Sequence, residues 1–274
     1  MRLSSCFLLF IFTLFLYSCQ KTEQEVNNDT QSVIDNVNVD NVSENLLTTI
    51  NDYGLAYLGM NNPKIDTNVI VTITPQYPID SFPKTMIINY GNGISCNDGC
   101  TRKGKIIVVF DGKWDIDSTV QINAEIDLNS YCLDNVQVIG SMQLTCFGSS
   151  STVPEYSFKT DNSRLVFPNG ENTSWAMNRT VKWNSGFETI DDKTDDIFLI
   201  SGSITGINRK GVGYESVIKE PLSFDNSCYN GTITKGIFEL TPQGLSSRIV
   251  DFGNGTCDKN ATVTINGISF NVSF

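Results

Sequence analysis

The chain contains no histidine among its 274 residues. Histidine is the usual general base of serine and cysteine hydrolases and the commonest metal ligand among side chains. Its absence therefore excludes Ser-His and Cys-His nucleophilic sites, and zinc sites that use imidazole. An enzyme with this composition would have to rely on carboxylates, Lys, Tyr or Cys, so we expect a non-enzymatic protein that uses no cofactor.

Basic residues are also scarce. Lys and Arg number 19 against 30 Asp and Glu, which gives a formal net charge of −11. An acidic protein repels phosphate backbones, so nucleic acid is not an expected partner. Long apolar runs are lacking as well, because no segment beyond the first 18 residues is long and apolar enough to span a bilayer.

The one pronounced apolar run lies at the N-terminus, where "CFLLFIFTLFLY" follows "MRLSS". Its 12 residues are typical of a signal-peptide core rather than a membrane span. The closing "LYSC" resembles the bacterial lipoprotein signal, which implies cleavage of residues 1–18 and lipidation of Cys19. Tyr17 departs from the small residue usual at its place, so an ordinary signal peptide with a chance cysteine is the alternative.

The lipid anchor would attach the protein to a membrane through Cys19. The next residues, "QKTEQE" at 20–25, resemble an export signal that sends lipoproteins to the outer face of the outer membrane. The same residues could equally be a solvated tether. We therefore predict a location on the bacterial outer membrane, facing the cell exterior if the export signal is used.

The composition changes along the mature chain. Residues 19–45 are rich in Asn, Asp, Gln and Ser and predict a flexible tether. Residues 46–67 predict one short amphipathic helix and a linker. From 68 to 274, β-branched and aromatic stretches alternate with turn residues, which predicts an all-β body of antiparallel, hairpin-rich, sandwich-like sheets.

Two hairpins can be specified by their turns. Asn266-Gly267 favours a type I′ turn, which pairs Ile265 with Ile268 and puts apolar residues on one face. Asp111-Gly112 predicts a second hairpin, in which Val109 pairs with Trp114.

Two segments share an order of features. "INYGNGISC" at 88–96 and "VDFGNGTC" at 250–257 both follow a strand that ends in Thr-Pro-Gln, and both precede a hairpin. This indicates an internal duplication, with copies at about 68–126 and 231–274. The Asp-Phe-Gly at 251–253 matches the magnesium-binding tripeptide of protein kinases, but no phosphate loop or other kinase motif accompanies it. We therefore interpret it as a turn between strands.

Six cysteines remain after the signal peptide and the lipid site are set aside. An even number in an exported protein indicates three disulfides, although 15 connectivities are open. Within "CNDGC", Cys96 and Cys100 could form a local staple or half of a metal site, and the staple is favoured because no second such pair exists.

Three stretches carry a resemblance to a family. These are "GNGISCNDGCTRKGKIIVVFDGKW", "DDIFLISGSITGINRKGVGYESVI" and "DFGNGTCDKNATVTING". They resemble an uncharacterised family of bacterial envelope lipoproteins over roughly 69–274. The resemblance implies an exported all-β body and a disulfide between Cys228 and Cys257, but no activity. The chain departs from the family by two extra cysteines, Cys132 and Cys146, which we expect to pair with each other.

Two groups of side chains remain as candidates for binding. Carboxylates cluster at 111–118 and 191–196, in spacings that match no known calcium loop. We interpret them as solvated acidic turns. The tryptophans Trp114, Trp175 and Trp183 lie in or beside predicted strands, where exposed rings could stack on sugars and buried rings would be core.

The sequence therefore predicts a lipid-anchored surface module that binds a glycan or an envelope protein. The alternative is a structural envelope component that assembles with other proteins. A glycosidase that works with two carboxylates is a third hypothesis. The sequence does not indicate which two carboxylates would lie close together.

Overall fold

A computed structural model describes residues 29–58, 65–76, 79–116, 120–147, 153–228 and 231–274. Cys19, the signal peptide and residues 117 and 118 of the acidic stretch 111–118 lie outside the described residues.

Strands dominate the described part of the chain, and an α-helix precedes them. The elements are α1 (Gln31–Tyr57), β1 (Ile70–Thr74), β2 (Lys84–Ser95), β3 (Thr101–Phe110), β4 (Ile122–Leu133), β5 (Val136–Ile139), β6 (Ser141–Cys146), β7 (Glu155–Val166), β8 (Asn172–Ser185), β9 (Ile197–Ile207), β10 (Gly213–Asp225), β11 (Thr232–Pro242), β12 (Arg248–Asn254), β13 (Asn260–Ile265) and β14 (Ile268–Ser273). A short 3₁₀ turn, Lys193–Asp195, lies between β8 and β9. The predicted all-β class with an N-terminal helix is confirmed.

The 14 described strands belong to one continuous sheet. The strands follow each other across it in chain order and pair antiparallel, with β5 and β6 sharing the place between β4 and β7. Residues alternate between a buried and an exposed face, as in β8, where every second side chain from Thr173 to Trp183 is buried. One face of the sheet is therefore core, and the other faces solvent.

The helix α1 occupies the space over the buried face. Of its 27 residues, 19 are buried. Its side chains bond to residues of β3, β7 and β8, and its backbone lies close to β9, β10 and β11. Because strands from both halves of the sheet reach the same helix, the sheet must curve around it.

Polar contacts fix α1 within this curve. The carboxylate of Asp40 accepts a hydrogen bond from Arg179 at 2.8 Å, and both side chains are almost fully buried. Asp35 accepts two bonds of 2.7 Å from Arg209, one from its backbone and one from its guanidinium. Buried charges of this kind require a partner, so these contacts determine which side of the helix faces each strand.

The tether prediction is wrong for residues 31–45, which are helical and mostly buried. The stretch intersperses single Val residues with Asp, Asn and Ser, so its sequence resembles a solvated linker. Its Asp and Asn side chains are instead buried against distant partners. Asp40, for example, pairs with Arg179, which lies 139 residues further along the chain. The helix therefore begins at Gln31 instead of near residue 46, and its end at Tyr57 lies within the range predicted for the helix and its linker.

The two hairpin predictions had opposite outcomes. Around Asn266-Gly267 the register is the predicted one, from Ile265↔Ile268 to Asn260↔Ser273. The Asp111-Gly112 hairpin does not form, because β3 pairs with β4, Phe110 opposite Ala124. Trp114 instead turns inward against the helix, where it is completely buried.

The two Gly-Asn-Gly segments adopt a similar local structure. The side chain of Asn89 accepts a hydrogen bond from the N–H of Gly91 at 3.0 Å, and Asp251 accepts one from Gly253 at 2.8 Å. Gly91 and Gly253 both have positive φ, at 57° and 84°, a conformation that glycine adopts at little cost. Asp251 therefore has a local backbone role at the end of β12, and the duplication itself stays a prediction.

One of the predicted disulfides is present. Cys228 and Cys257 are bonded and join the end of β10 to the connection between β12 and β13. Cys132 and Cys146 form no disulfide with each other, so the prediction that they pair is wrong. They lie at opposite ends of β4, since Cys146 is opposite Ile122 at the start of that strand and Cys132 is near its end, opposite Gln137 of β5. Cys96 and Cys100 are free thiols, which contradicts the predicted staple.

Candidate ligand-binding pocket

A pocket of about 600 Å³ opens beside the C-terminal half of α1. We call it the Asp52 pocket. Its walls come mainly from helix residues 45–53, the loop 97–99, the turn 191–194 and residues 224–228 with Gly231. Ile65, Asp66, Tyr90 and Arg102 complete the lining. The volume lies within the range typical of small-molecule sites, which is about 300–1,000 Å³.

The "CNDGC" loop forms one wall, and hydrogen bonds hold it. The backbone N–H of Cys96 donates to the carbonyl of Cys100 at 2.8 Å, and Asp98 accepts the N–H of Cys100 at 3.0 Å. Asp98 also pairs with Arg102, whose guanidinium donates to the side chain of Asn45 on α1 at 2.8 Å. Arg102 therefore fixes the loop to the helix.

The acidic turn 191–194 forms the opposite wall. Asp192 accepts hydrogen bonds from the backbone and hydroxyl of Thr194, at 3.0 and 2.7 Å, and so caps the 3₁₀ turn. Lys193 then reaches the carboxylate of Asp52 on the helix. The turn is solvent-exposed, as predicted, and the Lys193–Asp52 pair holds it to the helix so that it forms one wall of the pocket.

The pocket carries an excess of negative charge. Among the described residues, five carboxylates and two cationic side chains line it: Asp52, Asp66, Asp98, Asp191, Asp192, Lys193 and Arg102. With all of them ionised, the lining has three more negative than positive charges. A ligand with positive charge or many hydrogen-bond donors is favoured by such a surface.

The protonation of two of these carboxylates depends on their neighbours. Burial acts to raise the pKa of Asp98, but the hydrogen bond and charge of Arg102 outweigh it and hold that pKa below its usual range. Burial raises the pKa of Asp52, and the ammonium of Lys193 offsets part of that rise. Each of the two carboxylates already has a cation, which suits binding better than the proton transfer a glycosidase needs.

Aromatic rings form the floor of the pocket but present little surface. Tyr53, Tyr90 and Phe224 are 4%, 1% and 3% exposed. Burial raises the pKa of both tyrosine hydroxyls, so these groups keep their protons. Polar groups that a ligand would also meet include Thr48, Asn97 and Ser227.

The three tryptophans are not available for stacking on a ligand. Trp114, Trp175 and Trp183 are 0%, 2% and 2% exposed, which contradicts their prediction as sugar-binding residues. Trp114 and Trp183 donate their indole N–H groups to Asn51 at 3.1 Å and to Asp196 at 2.8 Å. All three belong to the core.

Sequence reasoning identified the acidic turn and the cysteine loop but did not connect them. It missed Tyr53 in the floor, and it missed Asp52 and Arg102, which hold the two walls to the helix. The signal was weak, because Asp52 lies in a helix where one charged residue is ordinary, and Arg102 lies in a strand rich in Lys and Ile. Within the part of the chain described, no three His, Cys, Asp or Glu side chains are grouped so as to hold a metal ion.

No protein-family model, curated protein or solved structure matches this chain. Among the described residues, no helix is both long and apolar enough to cross a membrane.

Proposed function

We propose that this chain is a lipid-anchored protein of the bacterial envelope that binds a saccharide in the Asp52 pocket. The observation that carries the proposal is the pocket itself, in which carboxylates and amides held by Arg102 and Lys193 surround a space of about 600 Å³. Carboxylate and amide oxygens accept hydrogen bonds from sugar hydroxyls, while the two cations donate.

The charge of the pocket makes the saccharide class more specific. An excess of three negative charges attracts a sugar that carries an ammonium group and repels one that carries a carboxylate. Since the aromatic floor is buried, stacking contributes little, and affinity must come from hydrogen bonds and charge. The preferred ligand is therefore an amino sugar within a larger glycan.

The binding proposal is tested with three oligosaccharides of equal length and different charge. We expect the full chain in neutral detergent to bind glucosamine oligomers most tightly, glucose oligomers less tightly and galacturonate oligomers least, as measured by titration calorimetry. Thr48→Trp should fill the pocket and weaken binding at least tenfold. Asp191→Asn should weaken glucosamine binding about threefold to tenfold, which is roughly 1 kcal/mol, because it removes one attracting charge.

The matched control is Thr262→Trp, which adds the same ring to the outer face of β13, away from the pocket. It should leave all three affinities unchanged. If the glucosamine oligomers fail to bind, or if Thr48→Trp binds them as well as the wild type, the pocket is not a saccharide site.

The anchor at Cys19 has a separate test in cells fed an alkyne fatty acid. We expect the wild-type chain to carry the label and Cys19→Ala to lose it, because acylation requires that thiol. Each buried CH₂ of an acyl chain contributes about 0.8 kcal/mol to membrane binding, so two or more chains give a stable anchor. Cys6→Ala, within the same N-terminal segment, is the control and should keep the label. If the Cys19→Ala chain still carried the label, the lipid would be attached to another residue, and the proposed anchor at Cys19 would be wrong.

A second function, assembly with other protein chains, is favoured by a different observation. The sheet ends at β1 on one side and at β14 on the other, and no described strand pairs with the outer side of either. Unpaired edges can recruit another strand.

A further inference from the structure

The last strand, β14, has a regular edge that no described strand pairs with. It pairs with β13 along its whole length without a bulge, and the pairing continues to Phe274, whose N–H donates to Lys259 at 3.0 Å. In an antiparallel ladder the direction of the backbone groups alternates along the strand. Since Phe274 bonds inward, the N–H and C=O groups of Ser269, Asn271 and Ser273 point to the free edge.

This edge lacks the features that normally protect one. Natural edge strands carry charges, proline or bulges that prevent pairing with another chain. The strand β14 reads Ile-Ser-Phe-Asn-Val-Ser, with no charged residue and no proline. The other edge, β1, is one residue shorter and is followed directly by Pro75, so β14 is the better edge for recruitment.

The apolar side chains of β14 are incompletely covered. Ile268 is 52% exposed, whereas its partner across the ladder, Ile265, is 1% exposed. Phe270 and Val272 are half-buried, opposite the buried Val263 and Ala261. One more strand beside β14 would cover this apolar row in the way that β14 covers β13.

We propose that the strand beside β14 is the β14 of a second copy of this chain, paired antiparallel about a two-fold axis at Asn271. In that register Phe270 lies opposite Val272, Ile268 opposite Phe274, and Ser269 opposite Ser273. Opposite residues in an antiparallel pair share a face, so apolar side chains meet apolar ones and hydroxyls meet hydroxyls. The strand is thus complementary to itself, as a two-fold contact requires.

The closed dimer also explains how an unprotected edge could stay soluble. A contact between β14 of one copy and β1 of the next would leave further free edges and grow into a fibre. The two-fold contact uses β14 of both copies at once. No charge lies on the strand, so two chains of net charge −11 meet there without direct like-charge contact.

The test uses Asn271→Cys in the full chain, expressed in its native envelope. At the two-fold axis the two copies of residue 271 face each other at a Cα separation of about 5.5 Å, which a disulfide can bridge. We expect a covalent dimer of twice the chain mass after mild oxidation, reversed by a thiol reductant. The wild type gives the background from its own cysteines.

The control is Thr262→Cys, which lies directly opposite Asn271 on β13 and on the same face. Residue 262 lies one strand further from the two-fold axis on each copy. The thiols of the two copies are therefore too far apart to form a disulfide, and no dimer should form. Asn271→Cys combined with Phe270→Lys should also give little dimer, because two ammonium groups would enter the apolar row. The inference is overturned if Asn271→Cys stays monomeric, if it joins a partner of another mass, or if Thr262→Cys dimerises equally well. None of these outcomes depends on saccharide binding.

Discussion

Replacing Arg179 by alanine should lower the free energy of unfolding by about 3–5 kcal/mol, because it leaves buried carboxylates without their cation. Arg179 is 1% exposed and pairs with Asp40, which is 2% exposed. Glu44 is buried in the same region, where the charge of Asp40 raises its pKa and the charge of Arg179 lowers it. The measurement is urea unfolding followed by tryptophan fluorescence, with the slope of the transition compared between variants.

The effect should also depend on pH. Burial raises the pKa of Glu44 to about 8 and raises that of Asp40 as well, with Arg179 opposing both rises. Without Arg179 both carboxyls can become neutral by binding protons, which costs less free energy at low pH. The loss of stability should therefore be larger at pH 8 than at pH 5.

A matched control lies on the same strand. Lys182 of β8 pairs with Glu155 at 3.3 Å, but the two side chains are 51% and 32% exposed. Surface pairs of this kind contribute about 0–1 kcal/mol, so Lys182→Ala should have a small effect. Equal losses for the two variants would show that α1 does not depend on its buried ion pair.

Replacing Trp114 by alanine should cost about 3–5 kcal/mol of stability, the range for removing a large buried aromatic side chain. Trp114 lies edge-on to Phe110 at 5.2 Å and stacked with Tyr156 at 6.2 Å between ring centroids. Its N–H donates to the carbonyl oxygen of Asn51, which also accepts the hydroxyl of Tyr156. The ring thus joins the connection after β3 to the helix.

Two further variants serve as comparisons. The first separates the hydrogen bond of Trp114 from its apolar contacts, and the second is a control at an exposed site. Trp114→Phe keeps most of the apolar contact but leaves Asn51 one donor short, so about 1–2 kcal/mol should be lost. Val109→Ala, at a site that is 36% exposed, should change stability by less than about 1 kcal/mol. Should Trp114→Ala unfold like the wild type and lose saccharide binding, the ring would be a surface ligand contact after all.

The glycine at position 54 shows why the helix was hard to delimit from sequence. Glycine weakens helices, so Gly54 argued against a long helix. In the structure a Cβ at this position would lie 2.6 Å from the indole of Trp114. The glycine allows the ring to approach the helix backbone, a reason that becomes visible only when residues 54 and 114 are brought together.

The cysteines illustrate the same limit. The family resemblance implied the Cys228–Cys257 bond, which is present. Pairing Cys132 with Cys146 rested on their both being extra to that family. They are kept apart by the register of β4 against β6, which the spacing of the cysteines along the chain does not encode.

The sequence by itself determined the features that arise from neighbouring residues. Strand periodicity predicted the all-β class, and Asn266-Gly267 predicted the register of the last hairpin, because turn chemistry acts over two to four residues. Only the tertiary structure decided that residues 31–45 form a buried helix, that Trp114 turns inward, and that Asp52 and Arg102 join two walls of a pocket. Each of these depends on burying a side chain against a partner far away in the chain, and burial is a property of the folded molecule rather than of any local stretch.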